Sequence, residues 1–186
     1  MHAALKAQLE GIATTALQQP AGAPRVTSFL TSLGPIHRDW HSVPRSARTY
    51  GFLLFHADVL RLLAAIGGPP YFGGIPPYTA ADFGRFGRPY NVTYRVPQGS
   101  VPDLTTFSFD LEDWHNRAHM AIEMSTHLNM MDPLTNVKLR EFWRLHMFIQ
   151  AQFKSRLRTF RRTAGQTAAA TITEIETVDH SAVPSI

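Results

Sequence analysis

The sequence predicts an all-α protein with a four-helix-bundle core, one long irregular loop and little or no strand. Apolar residues recur at helical spacing in several segments of the chain. Glycine and proline concentrate between those segments and punctuate them. The chain has 186 residues, of which 44% are hydrophobic and 17% are charged. These values suit one folded domain and exclude a disordered chain.

The first predicted helices are short. Residues 2–18 carry apolar side chains near helical spacing, and residues 19–24 break the pattern with two prolines and a glycine. Residues 26–33 form the second predicted helix, with Thr27 or Ser28 as its cap.

Two breakers then predict an interruption. Gly34 and Pro35 are expected to end the second helix, and residues 36–41 to form at least one further turn. Residues 46–66 are the clearest helix of this half, because their apolar face is broad and the Gly-Gly-Pro-Pro run at 67–70 stops it.

The second half alternates a long loop with long helices. Residues 67–103 are rich in glycine, proline and tyrosine, which predicts an irregular loop whose aromatic side chains pack rather than move. Residues 111–126 and 136–162 are predicted helices. We expect one domain over residues 1–163 and a flexible, alanine-rich tail over residues 164–186.

Composition restricts the function classes. The chain has no cysteine, which excludes disulfides, thiolate zinc sites and iron–sulfur clusters. The net charge of +4 is small and its only cluster is at residues 154–162, so no nucleic-acid partner is predicted. No signal peptide and no apolar run of membrane-spanning length stands out, which predicts a cytoplasmic protein without a membrane partner.

Two segments share the pattern His-x-x-x-His. His37 and His41 form the first pair, and His115 and His119 form the second. Residues four apart lie one turn apart on the same face of a helix, so the two imidazoles of a pair can converge on one point. One pair alone occurs by chance about as often as it marks a metal site.

A single histidine on an apolar helix follows each pair: His56 follows the first and His146 the second. A lone histidine in such surroundings is more often a hydrogen-bonded core residue than a ligand. Two pairs with two followers in one chain favour two metal sites of three nitrogens each, with an open position on each metal. The predicted ligands are His37, His41 and His56 for one ion, and His115, His119 and His146 for the other.

The local sequences resemble a known copper family. His115-Asn116-Arg117-Ala118-His119, followed by Asp132-Pro133 and then Phe142-Trp143-Arg144-Leu145-His146, is similar to the copper B region of tyrosinases, catechol oxidases and hemocyanins. The segment from Phe52 to Asp58 resembles the helix with the third copper A histidine. The resemblance covers residues 37–150. The chain resembles a short member of the family, and its lack of cysteine matches many bacterial members.

The resemblance implies a type 3 site with two copper ions, Cu A and Cu B, that activates dioxygen. The implied substrate is a small aromatic: a catechol or aminophenol, or a phenol that is first hydroxylated. Asn116 would be the catalytic residue that helps to orient a water. Glu112, Asp113 and Glu123 are candidates for its acidic partner, against a simple solvent-exposed or hydrogen-bonding role.

Several alternatives stay open at this stage. The protein could carry dioxygen or copper without turnover, as hemocyanins do, or bind zinc, or bind no metal. The methionines around the second histidine set are expected to pack rather than to bind Cu(I). His127 is expected to be exposed or to hydrogen-bond a ligand. The loop 67–103 could shape the substrate entrance or serve as inert cover. The oligomeric state is not predicted.

Overall fold

A computed structural model describes residues 2–44, 51–67, 76–92 and 104–163. Within these ranges the chain is all-α and contains no strand, which confirms the predicted fold class. The α-helices are α1 (His2–Leu17), α2 (Ala23–Ser42), α3 (Gly51–Gly67), α4 (Ala80–Arg85), α5 (Leu104–Thr126) and α6 (Arg140–Thr163). A single 3₁₀ turn, Asn136–Lys138, precedes α6.

The helices enclose one apolar core. The first helix packs against α2 and α3, and α3 in turn contacts α5 and α6, which also pack on each other. Large side chains fill the space between them, including Leu9, Phe29, Phe55, Phe107 and Phe142, all of them fully buried. Packing of these apolar faces, more than local helix propensity, holds the helices in place.

The predicted interruption of α2 is wrong. The helix runs unbroken from Ala23 to Ser42, with Pro35 in its interior. A proline there removes one hydrogen bond to Thr31, but both residues are exposed, so water can solvate the carbonyl that loses its partner. The start also differs: α2 begins with Pro24 in its first turn, where no N–H is needed, and neither Thr27 nor Ser28 caps it.

The other boundaries shift more modestly. The helix predicted for residues 46–66 is described from residue 51 to 67, and residues 46–50 lie outside the described part. The helix predicted to begin at Leu111 begins at Leu104. The helix predicted from Asn136 begins at Arg140, because Asn136–Lys138 is a separate 3₁₀ turn. The predicted tail, residues 164–186, lies outside the described residues.

The described part of the predicted loop, residues 76–92, packs as its aromatic content predicts. It contains α4, a helix that the sequence did not indicate. This helix begins with a reciprocal capping box between Thr79 and Asp82. Phe83 contacts Trp114 and Phe148 of α5 and α6, with ring centroids 4.7 and 4.8 Å apart. Residues 68–75 and 93–103 of this loop lie outside the described part.

Residues 127–139 link α5 to α6 and are called the 127–139 connection below. It starts at His127, whose positive φ of 58° ends α5 while its N–H still donates to Glu123 O. Asp132 shapes its centre by accepting from the Leu134 N–H and the Thr135 hydroxyl. Hydrogen bonding to Thr135, and then to Leu134, lowers the pKa of Asp132 below its ordinary value.

No helix in the described ranges combines the length and the apolar character that crossing a bilayer requires.

Candidate metal centre

Four helices bring six histidines into one group, called the histidine cluster below. Its members are His37 and His41 of α2, His56 of α3, His115 and His119 of α5, and His146 of α6. All except His41 are buried. Each predicted ligand therefore lies in this cluster, and the helical spacing of both His-x-x-x-His pairs is what turns two imidazoles inward from one helix.

Backbone carbonyls hold three of the rings through Nδ1. His37 Nδ1 donates to Pro133 O at 2.8 Å, His119 Nδ1 to Met130 O at 2.7 Å and His146 Nδ1 to Phe142 O at 2.7 Å. A carbonyl oxygen only accepts, so the proton of each neutral ring is on Nδ1. The lone pair of each ring is consequently on Nε2, the atom that is left to bind a metal.

Nε2 atoms of neighbouring rings face one another. His37 and His41 approach to 3.0 Å between their Nε2 atoms, and so do His115 and His146. In the second pair, His146 donates its proton to Phe142 O, and Nδ1 of His115 lies 3.1 Å from the amide oxygen of Asn116. With the proton of His115 on Nδ1, both Nε2 atoms present lone pairs to each other. Two nitrogens that bind one metal ion at about 2.0 Å each lie about 3 Å apart, so the donor set fits a shared cation.

Two triads of ring nitrogens lie within metal-binding distance. His37, His41 and His56 have their ligand atoms within 4.8 Å of one another, as the first predicted set requires. The other triad has the same spacing but consists of His56, His115 and His146. His56 thus takes part in both.

His119 stands beside the second triad rather than in it. Its ring centroid lies 4.4 Å from that of His115 and 5.4 Å from that of His146. Its Nε2 is buried and has no hydrogen-bond partner among the described residues. A buried ring nitrogen without a partner costs free energy, which a bound cation would recover.

Burial lowers the pKa of four imidazoles of the cluster. Desolvation, followed by neighbouring histidines, lowers the pKa of His37, His115 and His146 well below the ordinary value. Desolvation also lowers the pKa of His119, to about 4. Imidazoles with such pKa values are unprotonated near neutral pH, as metal ligands must be.

A cavity of about 180 Å³ opens beside the cluster. Its walls come from α2, α5 and the 127–139 connection, namely His41, His115, Asn116, His119, Met130, Met131, Pro133 and Asn136. A cavity of about 150 Å³ holds one benzene ring, so this one has room for a single small aromatic ring. No residue of the described segment 76–92 lines it.

The predicted catalytic residue, Asn116, lies at the cavity wall and is exposed. Of the three candidate acids, Glu123 accepts from the Met131 N–H at 2.8 Å, which ties it to the 127–139 connection. Asp113 is exposed and lines a different cavity, and Glu112 is buried in α5 one turn before His115. The structure thus distinguishes the three acids by their surroundings, and the water-orienting role stays a prediction.

The methionines divide into two groups. Met130 and Met147 are buried and pack as expected, whereas Met120, Met124 and Met131 are 51%, 73% and 46% exposed and do not. His127 is exposed, one of the two expected positions, and lies at the end of α5.

Sequence inspection missed three contributors to the site. The carbonyls of Met130 and Pro133 are backbone groups, which leave no signal in the residue types. Asn136 is 3% exposed and lines the cavity. The sequence places Asn136 only at the start of a predicted helix, which does not indicate a position at the cavity.

Comparison with models of known protein families, with curated proteins and with solved structures found no match.

Proposed function

We propose that this chain is a binuclear copper protein that uses dioxygen to oxidise an ortho-diphenol or aminophenol. The observation that carries the proposal is the histidine cluster itself, with two triads of ring nitrogens inside one helical core. The resemblance of its histidine segments to those of tyrosinases and catechol oxidases supports copper as the metal and a small aromatic as the substrate.

The donor set supports copper over other ions. All six candidate ligands are imidazole nitrogens, and neither triad, which together hold five of them, includes a carboxylate or a thiolate. Imidazole suits copper, zinc, iron and nickel, and Cu²⁺ binds such sites most tightly of the divalent first-row ions. Cu A would be held by His37, His41 and His56. Cu B would be held by His115 and His146 of the second triad, with His119 beside them as its third ligand in place of His56. A pair of copper ions would supply electrons to dioxygen and accept them from the aromatic substrate.

The chain would orient the metal ligands, exclude water and provide a cavity large enough for one aromatic ring. Carbonyl tethers orient the imidazoles of His37, His119 and His146, so little reorganisation accompanies binding. Phe142 stacks on His146 with ring centroids 3.8 Å apart and is itself buried, which excludes water from that side of the cluster. The cavity beside His115 and His119 would admit the substrate ring.

Copper loading tests the proposal. We expect two copper ions per chain by metal analysis, strong near-ultraviolet absorption on oxygenation, and oxygen consumption with catechol or 2-aminophenol. Two ortho-diphenols and one dioxygen would give two quinones and two waters. One copper per chain, or none, would contradict a binuclear site.

The same measurements separate the other functions. Two copper ions and the near-ultraviolet absorption without oxidation of any catechol, aminophenol or phenol would indicate a dioxygen carrier. Retention of zinc but not copper in competition would indicate a zinc protein.

A further inference from the structure

Two asparagines line the cavity beside the histidine cluster, the exposed Asn116 and a second one, Asn136. Asn136 is 3% exposed and lines this cavity at the start of the 3₁₀ turn. Its Oδ1 is buried and has no hydrogen-bond partner among the described residues. A buried amide oxygen without a donor is costly, so it marks a place where a ligand with an O–H or N–H would gain affinity.

The orientation of this amide follows from its neighbour. Asn136 Nδ2 donates to Met130 O at 2.9 Å. A carbonyl cannot donate, so the atom that faces it must be the nitrogen of the amide, and the oxygen must face away. Oδ1 is therefore the atom of Asn136 that is left without a donor.

The same carbonyl also places Asn136 next to a histidine of the metal centre. Met130 O accepts from His119 Nδ1 at 2.7 Å as well as from Asn136. The two side chains are thus neighbours that share one acceptor, and both line the cavity. A ligand that reaches both needs its two polar groups close together.

We infer that Asn136 selects the substrate, by accepting a hydrogen bond from a hydroxyl or amino group next to the phenolic oxygen that faces His119. The inference rests on the proposed function and names the residue that recognises its substrates, which are aromatics with donors on adjacent ring carbons. Asn136 is a positioning residue here and takes no part in electron transfer. A plain phenol, which has only one polar group, leaves Oδ1 unsatisfied.

The test compares two ligands on copper(I)-loaded protein without dioxygen, so that no turnover occurs. Catechol carries the adjacent donor, and 2-fluorophenol replaces it with a group that cannot donate. Calorimetry gives the affinity ratio of the two. We expect the ratio to fall roughly ten-fold in Asn136→Leu, because one hydrogen bond to a buried acceptor is lost.

A matched control separates this role from a structural one. Met130→Leu changes a neighbouring wall but keeps the Met130 backbone carbonyl, so the affinities for both ligands should change by the same factor. An Asn136→Leu variant that keeps the wild-type affinity ratio, even if both affinities fall, would overturn the inference.

A second variant covers a folding failure of Asn136→Leu. A protonated carboxyl in Asn136→Asp can donate to Met130 O and still accept with its other oxygen, so this variant should keep the preference for catechol. Loss of the preference in Asn136→Asp would count against the inference. Normal copper loading with an unchanged ratio would leave the proposed function intact, whereas failure of the wild type to bind copper would remove both.

Discussion

The proton on Nδ1 determines what each imidazole of the histidine cluster can offer. Carbonyl acceptors hold that proton on His37, His119 and His146, so Nε2 of these rings has only a lone pair. Of these, His119 is the ring whose Nε2 has no hydrogen-bond partner among the described residues. Single-residue changes at this position therefore test the metal centre most directly.

Replacing His119 should damage one metal site without unfolding the chain. We expect His119→Ala to bind about one copper per chain and to lose the near-ultraviolet absorption on oxygenation, because one ligand is removed. The control is His127→Asn, since His127 is exposed and asparagine tolerates its positive φ of 58°. Equal copper content and absorption in His119→Ala and the wild type would show that His119 is not a ligand.

Mild acid should destabilise the metal-free protein. The pKa of His119 is about 4 in the folded chain and has its ordinary value of 6.5 after unfolding, so between these pH values the unfolded chain binds more protons. The free energy of unfolding should therefore fall as the pH drops through this window. For His119 alone the loss approaches about 3 kcal/mol near pH 4.

Urea unfolding of the chelated protein at about pH 7 and about pH 5 measures this effect. The matched variant His119→Gln cannot bind that proton and should lose less stability between the two pH values. A wild type whose stability is unchanged or higher at the lower pH would contradict the low pKa.

At the scale of elements, α2 and the 127–139 connection are in close contact at a glycine. A Cβ added at Gly34 would collide with the carbonyl oxygen of Leu134, next to the residue whose carbonyl holds His37. The glycine that seemed to break α2 in the sequence is thus needed inside it for this approach. Helical periodicity predicts the helices, but such a contact depends on residues 100 positions apart.

Gly34→Ala should separate α2 from the 127–139 connection. We expect it to lower the free energy of unfolding by about 2 kcal/mol, as overpacking does, and to weaken copper binding through the His37 tether. Gly11→Ala in α1 is the control, because no atom lies within 4 Å of its added Cβ. That variant should be stabilised by about 0.5–1 kcal/mol. Denaturant titration and copper titration of both variants measure these changes.

At the scale of the whole molecule, the sequence predicted the all-α class and the six histidines that gather in the core. Their spacing and apolar neighbours sufficed, because helical geometry converts spacing into direction. It did not predict that His56 would join both triads, nor that Asn136 would line the cavity. Those features depend on the relative placement of helices and on backbone groups, which residue types do not encode.

Bound copper should stabilise the folded chain, because its candidate ligands come from four helices. Metal bound only to the folded chain at about 100 times its dissociation constant adds about 2.7 kcal/mol of stability, which would raise the melting temperature by about 5–10 °C for a domain of this size. Chelation should reverse the increase. An equal increase in a His37→Ala/His146→Ala variant would show that the metal binds elsewhere.

The carbonyls of Met130 and Pro133 have a consequence for how this site can be altered. One holds a histidine of the second predicted set and the other a histidine of the first, and both belong to the 127–139 connection. A saturation scan of side chains would overlook these two peptide groups, since every substituted residue retains its backbone C=O. Insertion of a single residue between positions 130 and 133 would change the spacing of the two carbonyls. The site should therefore tolerate varied side chains at these positions, but only one length of the connection.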